Sequence, residues 1–132
     1  MSIVVGYVPT REGEAALHAG LRAARELSTG LVVVNVDATR SPAAATAPAP
    51  EYLQDLTAVL AESRLTHQLL HPVGDFDAAE EILQAATEYG ARLIVLGIRR
   101  RTPVGKLILG STSQRVLLEA DCPVLAVKAG QA

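Results

Sequence analysis

The stretch LVVVNV, residues 31–36, is a continuous apolar run, mostly β-branched, interrupted by one asparagine. Apolar residues at both odd and even positions are typical of a strand that is buried on both faces. Strands of this kind belong to parallel sheets that helices cover on either side. Because Ser28-Thr29-Gly30 directly precedes the run and ends a helical pattern, the stretch predicts an α/β fold.

Strand and helix patterns alternate along the rest of the chain. Short apolar strands are predicted at residues 3–7, 93–96 and 123–127, and a weaker, alternating edge strand at residues 65–71. Apolar residues at helical spacing predict four helices. The core-facing residues are Leu17, Leu21, Ala24 and Leu27 in the first helix, Leu53, Leu56, Val59 and Leu60 in the second, and Ala78, Ile82, Ala85, Ala86 and Tyr89 in the third. The fourth helix is predicted to span residues 111–120. This order predicts an open doubly wound α/β sandwich, with a five-stranded, mainly parallel sheet and helices on both faces.

Length and composition predict a single domain. The chain has 132 residues, of which 49% are hydrophobic and 20% are charged, so it is long enough to bury a core. Residues 39–50 are rich in proline and alanine and are predicted to form a flexible loop. Too little chain lies on either side of this loop for two cores, so the domain is expected to span residues 1–132.

Charge and cysteine content narrow the class of protein. A net charge of −2 argues against electrostatic binding to nucleic acid. The N-terminus lacks a signal-peptide pattern, and no apolar run is long enough to cross a membrane. The single Cys122 excludes an intrachain disulfide and fits a reducing compartment. We therefore expect a cytoplasmic protein with neither a membrane nor a nucleic-acid partner.

A binding site is expected at the carboxyl ends of the strands, because open α/β sheets bind ligands where the strand order switches. The stretch GIRRRTPVGKLILGSTSQ, residues 97–114, follows one such end. It lacks the spacing of a P-loop, and no dinucleotide-binding fingerprint follows the first strand. Gly110, Ser111, Thr112 and Ser113 begin a helix, where free amides and hydroxyls suit a phosphate. The alternative is an ordinary serine N-cap, which the local sequence by itself favours.

The order of elements and the C-terminal part of the chain resemble the universal stress protein family. The resemblance is carried by Gly97, by Gly110-Ser111-Thr112-Ser113 and by CPVLAV, residues 122–127. Nucleotide-binding members carry Gly, two residues, Gly, nine residues, Gly and then Ser or Thr, and Gly97, Gly110 and Ser111 match three of these four positions. The resemblance implies a fold of the adenine nucleotide alpha hydrolase type. It also implies an adenine nucleotide ligand, ATP in the first place, and leaves Mg²⁺ open.

Two positions depart from the family pattern. Arg100 replaces the middle glycine, and Val8 replaces the acidic residue that usually follows the first strand. A carboxylate can bind ribose hydroxyls or a metal, whereas valine can do neither. The resemblance implies an adenosine pocket that is lined by Tyr7, Val8, Val36 and Leu96. It also implies that Thr10 retains the hydroxyl group of the family pattern.

The run Arg99-Arg100-Arg101 has two interpretations. Guanidinium groups match phosphate oxygens bidentately, so the arginines suit a phosphate site. The alternative is a basic loop whose side chains point to water. Because the Gly-Ser-Thr-Ser cluster is near, we favour phosphate contact by at least one arginine and include Arg99 and Arg100 among the site residues.

Neither a metal centre nor a catalytic group is expected. His67 and His71 would face the same way on the weak strand, but no third ligand is apparent, so solvent-facing histidines are favoured. No nucleophile–base–acid arrangement can be assembled from the sequence.

The sequence leaves three functions open: a nucleotide-binding module, an interaction protein and an enzyme. We favour a regulatory or stress-response module that binds an adenine nucleotide and is not an enzyme, because Gly110 and Ser111 are retained. The alternative is an interaction protein of the same fold that has lost nucleotide binding, which Val8 and Arg100 support. A slow ATPase is a weaker third possibility, since no general base is visible near the phosphates.

The last predicted strand suggests self-association. VLAV, residues 124–127, is expected to be a bare apolar edge, which invites pairing with another chain. Lys128 at its end cannot shield its middle. The resemblance implies a homodimer in which the last strands of two subunits pair antiparallel around a two-fold axis.

Overall fold

The sheet is built around β1 (Ser2–Tyr7) and β2 (Gly30–Asn35), and β2 contains most of the LVVVNV stretch. The computed structural model describes residues 1–37, 50–99 and 109–129. β1 and β2 run parallel, with Val4 opposite Val32. Both strands are buried along almost their whole length, because helices cover both faces of the sheet.

The described residues form three further strands, β3 (His67–Leu70), β4 (Ala91–Ile98) and β5 (Val124–Lys128). The strand order is β3-β2-β1-β4-β5, and every neighbouring pair is parallel. The prediction of an open five-stranded α/β sheet is confirmed, and the pairing is parallel throughout rather than mainly parallel. The weak strand lies at one edge, as predicted.

Helices of the described residues pack on the sheet in two layers. α1 (Arg11–Glu26) and α2 (Glu51–Ser63) cover one face, which we call the α1/α2 face. α3 (Ala78–Glu88) and α4 (Ser111–Glu119) cover the other, the α3/α4 face. In the described residues, each crossover between parallel strands therefore carries one helix, as the alternating pattern predicted.

Alternation along the strands produces two apolar cores. In β1, Ile3 and Val5 point into the core of the α1/α2 face, and Val4 points into that of the α3/α4 face. Leu60 and Ile82 are fully buried helix residues of the respective cores. Burial of one such side chain contributes about 1.5–3 kcal/mol, so these two cores are the main source of stability.

The helix starts agree with their capping residues. Thr10 caps α1, and its Oγ1 accepts a hydrogen bond from Gly13 N at 3.1 Å. Asp77 caps α3, and its Oδ1 accepts from Glu80 N at 3.2 Å. Each cap satisfies an amide that has no partner within its helix.

Two details of the sequence prediction are wrong. Leu27 is the C-cap residue of α1 and is 41% exposed, because the helix has ended and no longer turns this side chain toward the core. His71 lies beyond the end of β3, so His67 and His71 are not a same-face pair on one strand. The His67 ring is instead engaged locally, with Nδ1 2.9 Å from the carbonyl oxygen of Leu65.

Some predictions fall on parts of the chain that the structure does not describe. Residues 39–49 of the predicted loop, together with Arg100 and Arg101, lie outside the described residues. In the described part, no helix is both long enough and apolar enough to cross a membrane. Within residues 1–37, 50–99 and 109–129, no group of three or more His, Cys, Asp or Glu is placed to hold a metal ion.

Candidate functional site

The strand order switches between β1 and β4. From β1 the chain moves outward to β2 and β3, then returns to the other side of β1 for β4 and β5. α1 follows β1 on one face, and α4 follows β4 on the other. The connections therefore diverge at the carboxyl ends of these two strands, where open α/β sheets form their binding crevice.

The first turn of α1 lies directly against these strand ends. A Cβ atom built on Gly13 would overlap the carbonyl oxygen of Val8, and one built on Gly97 would overlap that of Glu12. Both obstacles are backbone atoms, which cannot move aside without displacing α1. Gly97 is therefore required for packing, whether or not a ligand is bound.

Three of the predicted pocket residues lie on the same face of the sheet. Val36 and Leu96 are buried in the core of the α3/α4 face, and half-buried Val8 packs against that core. They come from the ends of β2, β4 and β1, which are adjacent in the sheet. The structure thus brings these side chains together on one side of the crevice.

The structure does not bring the Tyr7 side chain to the same place. Tyr7 points into the core of the α1/α2 face, where its hydroxyl donates to Glu14 Oε1 at 2.5 Å. Burial, and then the hydrogen bond to Glu14, raise the pKa of Tyr7 far above its usual value. Successive strand residues face opposite sides, so Tyr7 and Val8 cannot share one face. The backbone of Tyr7 does reach the strand ends, because its carbonyl oxygen accepts from Val36 N at 2.9 Å.

The N-terminus of α4 begins at the predicted glycine–hydroxyl cluster. Gly110 is the N-cap, with φ −66° and ψ 161°, and as a glycine it offers no side chain to cap the helix. Ser111 is the first helical residue, so the alternative of a serine N-cap is wrong. The first-turn amides of Ser111, Thr112 and Ser113 have no partner within the helix. Since the first turn carries no acidic residue, the positive end of the helix dipole is not offset there.

Thr10 and Arg99 flank the strand ends. The Thr10 hydroxyl accepts from Gly13 N, which leaves its own proton to donate. Arg99 follows β4, its side chain is largely exposed, and its Nε lies 3.8 Å from Glu12 Oε1. An exposed ion pair of this length is weak, so the Arg99 guanidinium can exchange Glu12 for a stronger anion.

A polar network at the end of β2 was missed by the sequence analysis. Asn35 Nδ2 donates to the Tyr52 hydroxyl at 3.0 Å, and that hydroxyl donates to Asp37 Oδ2 at 2.7 Å. The signal in the sequence was the polar Asn35 inside an apolar strand. Its partner was not predictable, because Tyr52 lies on α2, 17 residues further along the chain.

A concavity of about 680 Å³ lies elsewhere, between α3, α4 and the start of β4. Its lining includes the carboxylates of Glu80, Glu88, Glu119 and Asp121. Arg115 pairs with Glu80 and Glu119, but the carboxylates remain in excess, and an excess of negative charge repels phosphate. We therefore place the candidate site at the strand ends and not in this hollow.

An all-parallel sheet of this order, with helices on both faces, defines an open α/β protein with the adenine nucleotide alpha hydrolase-like fold. The model of the universal stress protein family matches residues 1–128. A universal stress protein from Mycolicibacterium smegmatis is 44% identical over 126 residues, which cover 96% of each chain. The chain therefore belongs to the universal stress protein family, as the sequence motifs predicted.

Solved structures of the family share the fold. A universal stress protein from Archaeoglobus fulgidus superposes with a TM-score of 0.73 at 29% identity, over 97% of this chain and 98% of that chain. Another structure of the universal stress protein from Archaeoglobus fulgidus, in complex with dAMP, has a TM-score of 0.64 at 20% identity, over 97% of this chain and 98% of that one.

Proposed function

We propose that this protein binds an adenine nucleotide, ATP in the first place, at the carboxyl ends of β1 and β4, and acts as a regulatory stress-response module. The observation that carries the proposal is the start of α4, where the N-cap glycine has no side chain and no residue of the first turn is acidic, an arrangement that suits an anion. The dAMP complex of the Archaeoglobus fulgidus relative supports the choice of ligand.

The proposed roles follow the chemistry of each residue. Val8, Val36 and Leu96 offer apolar surface to the base, and the backbone at Tyr7 and Gly97 forms the adjoining wall. The Thr10 hydroxyl donates to the ribose or the phosphates. The phosphates lie at the N-terminus of α4, among Gly110, Ser111, Thr112 and Ser113, with Arg99 and Arg100 supplying positive charge.

One observation favours the alternative, an interaction protein of the same fold that does not bind nucleotide. Half-buried Val8 packs on the apolar core and offers no acceptor for ribose hydroxyls.

We do not propose an ATPase. The strongly raised pKa of Tyr7, caused mainly by burial, keeps its hydroxyl protonated, so Tyr7 cannot act as a base. Mg²⁺ is left out of the proposal, and the cytoplasmic location remains a prediction.

The proposal is tested with the double variant Gly110→Val, Ser111→Ala. Gly110 has an ordinary negative φ, and a Cβ added to it would meet no described atom within 4 Å, so the variant should fold. Isothermal titration calorimetry should show ATP binding to the wild type and none to the variant. Thr87→Ala, which removes an exposed helical hydroxyl far from the site, is the matched control and should bind like the wild type.

Native mass spectrometry of the freshly purified protein gives a second measurement. An adenine nucleotide that co-purifies with the wild type and is lost from the double variant supports the site. Equal ATP affinity of the wild type and a folded double variant would show that α4 does not hold the phosphates. A wild type without any affinity for adenine nucleotides would favour the alternative function.

A further inference from the structure

The network at the end of β2 has one consistent arrangement of protons. The Tyr52 hydroxyl has a single proton, and an ionised Asp37 carboxylate can only accept. The hydroxyl therefore donates to Asp37 and accepts from the Asn35 amide, which fixes the orientation of that amide. Asn35 and Asp37 are 1% and 7% exposed, so these hydrogen bonds form away from bulk water.

Burial makes this network a strong restraint on the strand end. Asn35 Oδ1 has no hydrogen-bond partner among the described residues. If Tyr52 lost its hydroxyl, Asn35 Nδ2 would also lose the partner seen here. Leaving a buried polar group without a partner is costlier than the net gain from a typical hydrogen bond. The end of β2 is therefore held in the position that keeps both residues within reach of Tyr52.

Val36 lies between the two restrained residues and faces the other way. Asn35 and Asp37 reach Tyr52 on the α1/α2 face, whereas Val36 is buried on the α3/α4 face with Leu96. Val36 N also donates to the carbonyl oxygen of Tyr7. Tyr52 thus holds the side chains of the two residues that flank Val36, which belongs to the proposed base-binding surface.

The same tyrosine is connected to the end of β1. The rings of Tyr7 and Tyr52 stack, with centroids 6.5 Å apart and an interplanar angle of 27°. The Tyr7 hydroxyl continues the chain of contacts to Glu14 on α1. The two helices of the α1/α2 face are therefore joined to the carboxyl ends of β1 and β2.

We propose that Tyr52 is a positioning residue for the nucleotide site, which sets the place of Val36 from the opposite face of the sheet and couples α2 to the base-binding surface. This inference rests on the proposed function. Tyr52 touches no nucleotide in this scheme. Its loss shifts the strand end that receives the base and leaves the phosphate-binding end of the site unchanged.

The test is Tyr52→Phe, with Tyr89→Phe as the matched control at the other end of the sheet. Tyr52→Phe retains the ring that stacks on Tyr7 and removes only the hydroxyl. We expect the dissociation constants of adenosine and ATP to rise by the same factor, about tenfold, because the base end alone is displaced. Tyr89→Phe should leave both constants unchanged.

A second measurement does not depend on nucleotide. Hydrogen exchange of the Val36 amide, followed by NMR in the free protein, should be faster in Tyr52→Phe than in the wild type or in Tyr89→Phe. Asp37→Asn, which keeps an oxygen acceptor for the hydroxyl, should stay closer to the wild type than Asp37→Ala. Unchanged Val36 exchange in Tyr52→Phe, or unchanged adenosine affinity where the wild type binds adenosine, overturns the inference. A wild type that binds no adenine nucleotide defeats the proposed function, and Val36 exchange then decides the positioning role by itself.

Discussion

Gly97 and Gly110 belong to the same sequence motif but have different surroundings in the fold. The position of a Cβ on Gly97 is already occupied by the backbone of α1, at the carbonyl of Glu12. A Cβ on Gly110 would meet no described atom within 4 Å, and the backbone there has an ordinary φ of −66°. At the residue scale, packing against α1 requires a glycine at position 97, whereas nothing in the described residues crowds position 110.

This difference predicts unequal effects of the same substitution on the stability of the protein. Gly97→Ala should lower the free energy of unfolding by about 1–3 kcal/mol, because the added methyl group overpacks a backbone contact. Gly110→Ala should change it by no more than about 0.5 kcal/mol, as is usual for an uncrowded surface position. Urea denaturation of both variants measures this. Equal stability losses in the two would contradict the packing role of Gly97.

At the scale of elements, α3 and α4 are joined by one side chain. Arg115 donates to Asp77 Oδ2 at 2.7 Å, to Glu80 Oε2 at 2.6 Å and to Glu119 Oε2 at 2.8 Å. Hydrogen bonds to Glu119 and then to Glu80 raise the pKa of Arg115 above its usual value. All four groups are substantially exposed, so the network orients two helices more than it stabilises the fold.

Asp77, the N-cap residue of α3, makes a pH-dependent contribution to the free energy of unfolding. The backbone hydrogen bond from Glu80, and secondarily the charge of Arg115, lower the pKa of Asp77 below its usual value. A lowered pKa in the folded state means that this stabilisation is present above the unfolded pKa and is lost as the pH falls through the folded value. Asp77→Asn keeps a capping oxygen but removes the charge.

The midpoint of thermal unfolding should therefore be lower for Asp77→Asn than for the wild type at pH 7, and the two should converge as the pH falls below about 4. Differential scanning calorimetry from about pH 3 to pH 7 checks this. Asp75→Asn, the same change of charge two residues before the cap, is the control and should show a smaller difference at pH 7. A gap for Asp77→Asn that persists undiminished at low pH would contradict the role of the Asp77 charge.

At the scale of the whole molecule, the β5 edge of the sheet is the proposed dimer surface. β5 pairs with β4 on one side, and no described strand pairs with its other side. Leu125 on β5 is 44% exposed, so this edge strand presents an apolar side chain against which a second chain can pack. We propose a homodimer through residues 124–127. Val127 is a poor residue for testing it, because it also packs on the core of the α1/α2 face.

Leu125→Lys should therefore shift the protein toward monomer, because a charge on an apolar edge opposes pairing. Leu27→Lys is the matched control: Leu27 has a similar exposure of 41% but lies at the end of α1. Sedimentation equilibrium across a dilution series measures the association. A wild type with the mass of one chain at micromolar concentration, or a dimer that tolerates Leu125→Lys, would exclude this interface.

Much of this architecture was predictable because its signals are local. The run LVVVNV indicated a strand covered on both faces, and β2 is such a strand. Helical spacing found the inner faces of α2 and α3. The prediction was wrong at Leu27, since periodicity does not show where a helix ends.

The candidate site was predictable in position but not in its contacts. The alternation of strands and helices by itself placed a crevice at the strand ends, because chain connectivity and handedness leave few topologies. The period of two along β1 also required Tyr7 and Val8 to face opposite sides. Only the tertiary structure decided which helices cover each face of the sheet. As a result, Tyr7 points toward α1 and α2, whereas Val8 and Val36 face α3 and α4. Likewise, the contact of Gly97 with α1 and the bonds from Tyr52 to Asn35 and Asp37 join separate elements, and such distances are set by packing and not by local sequence.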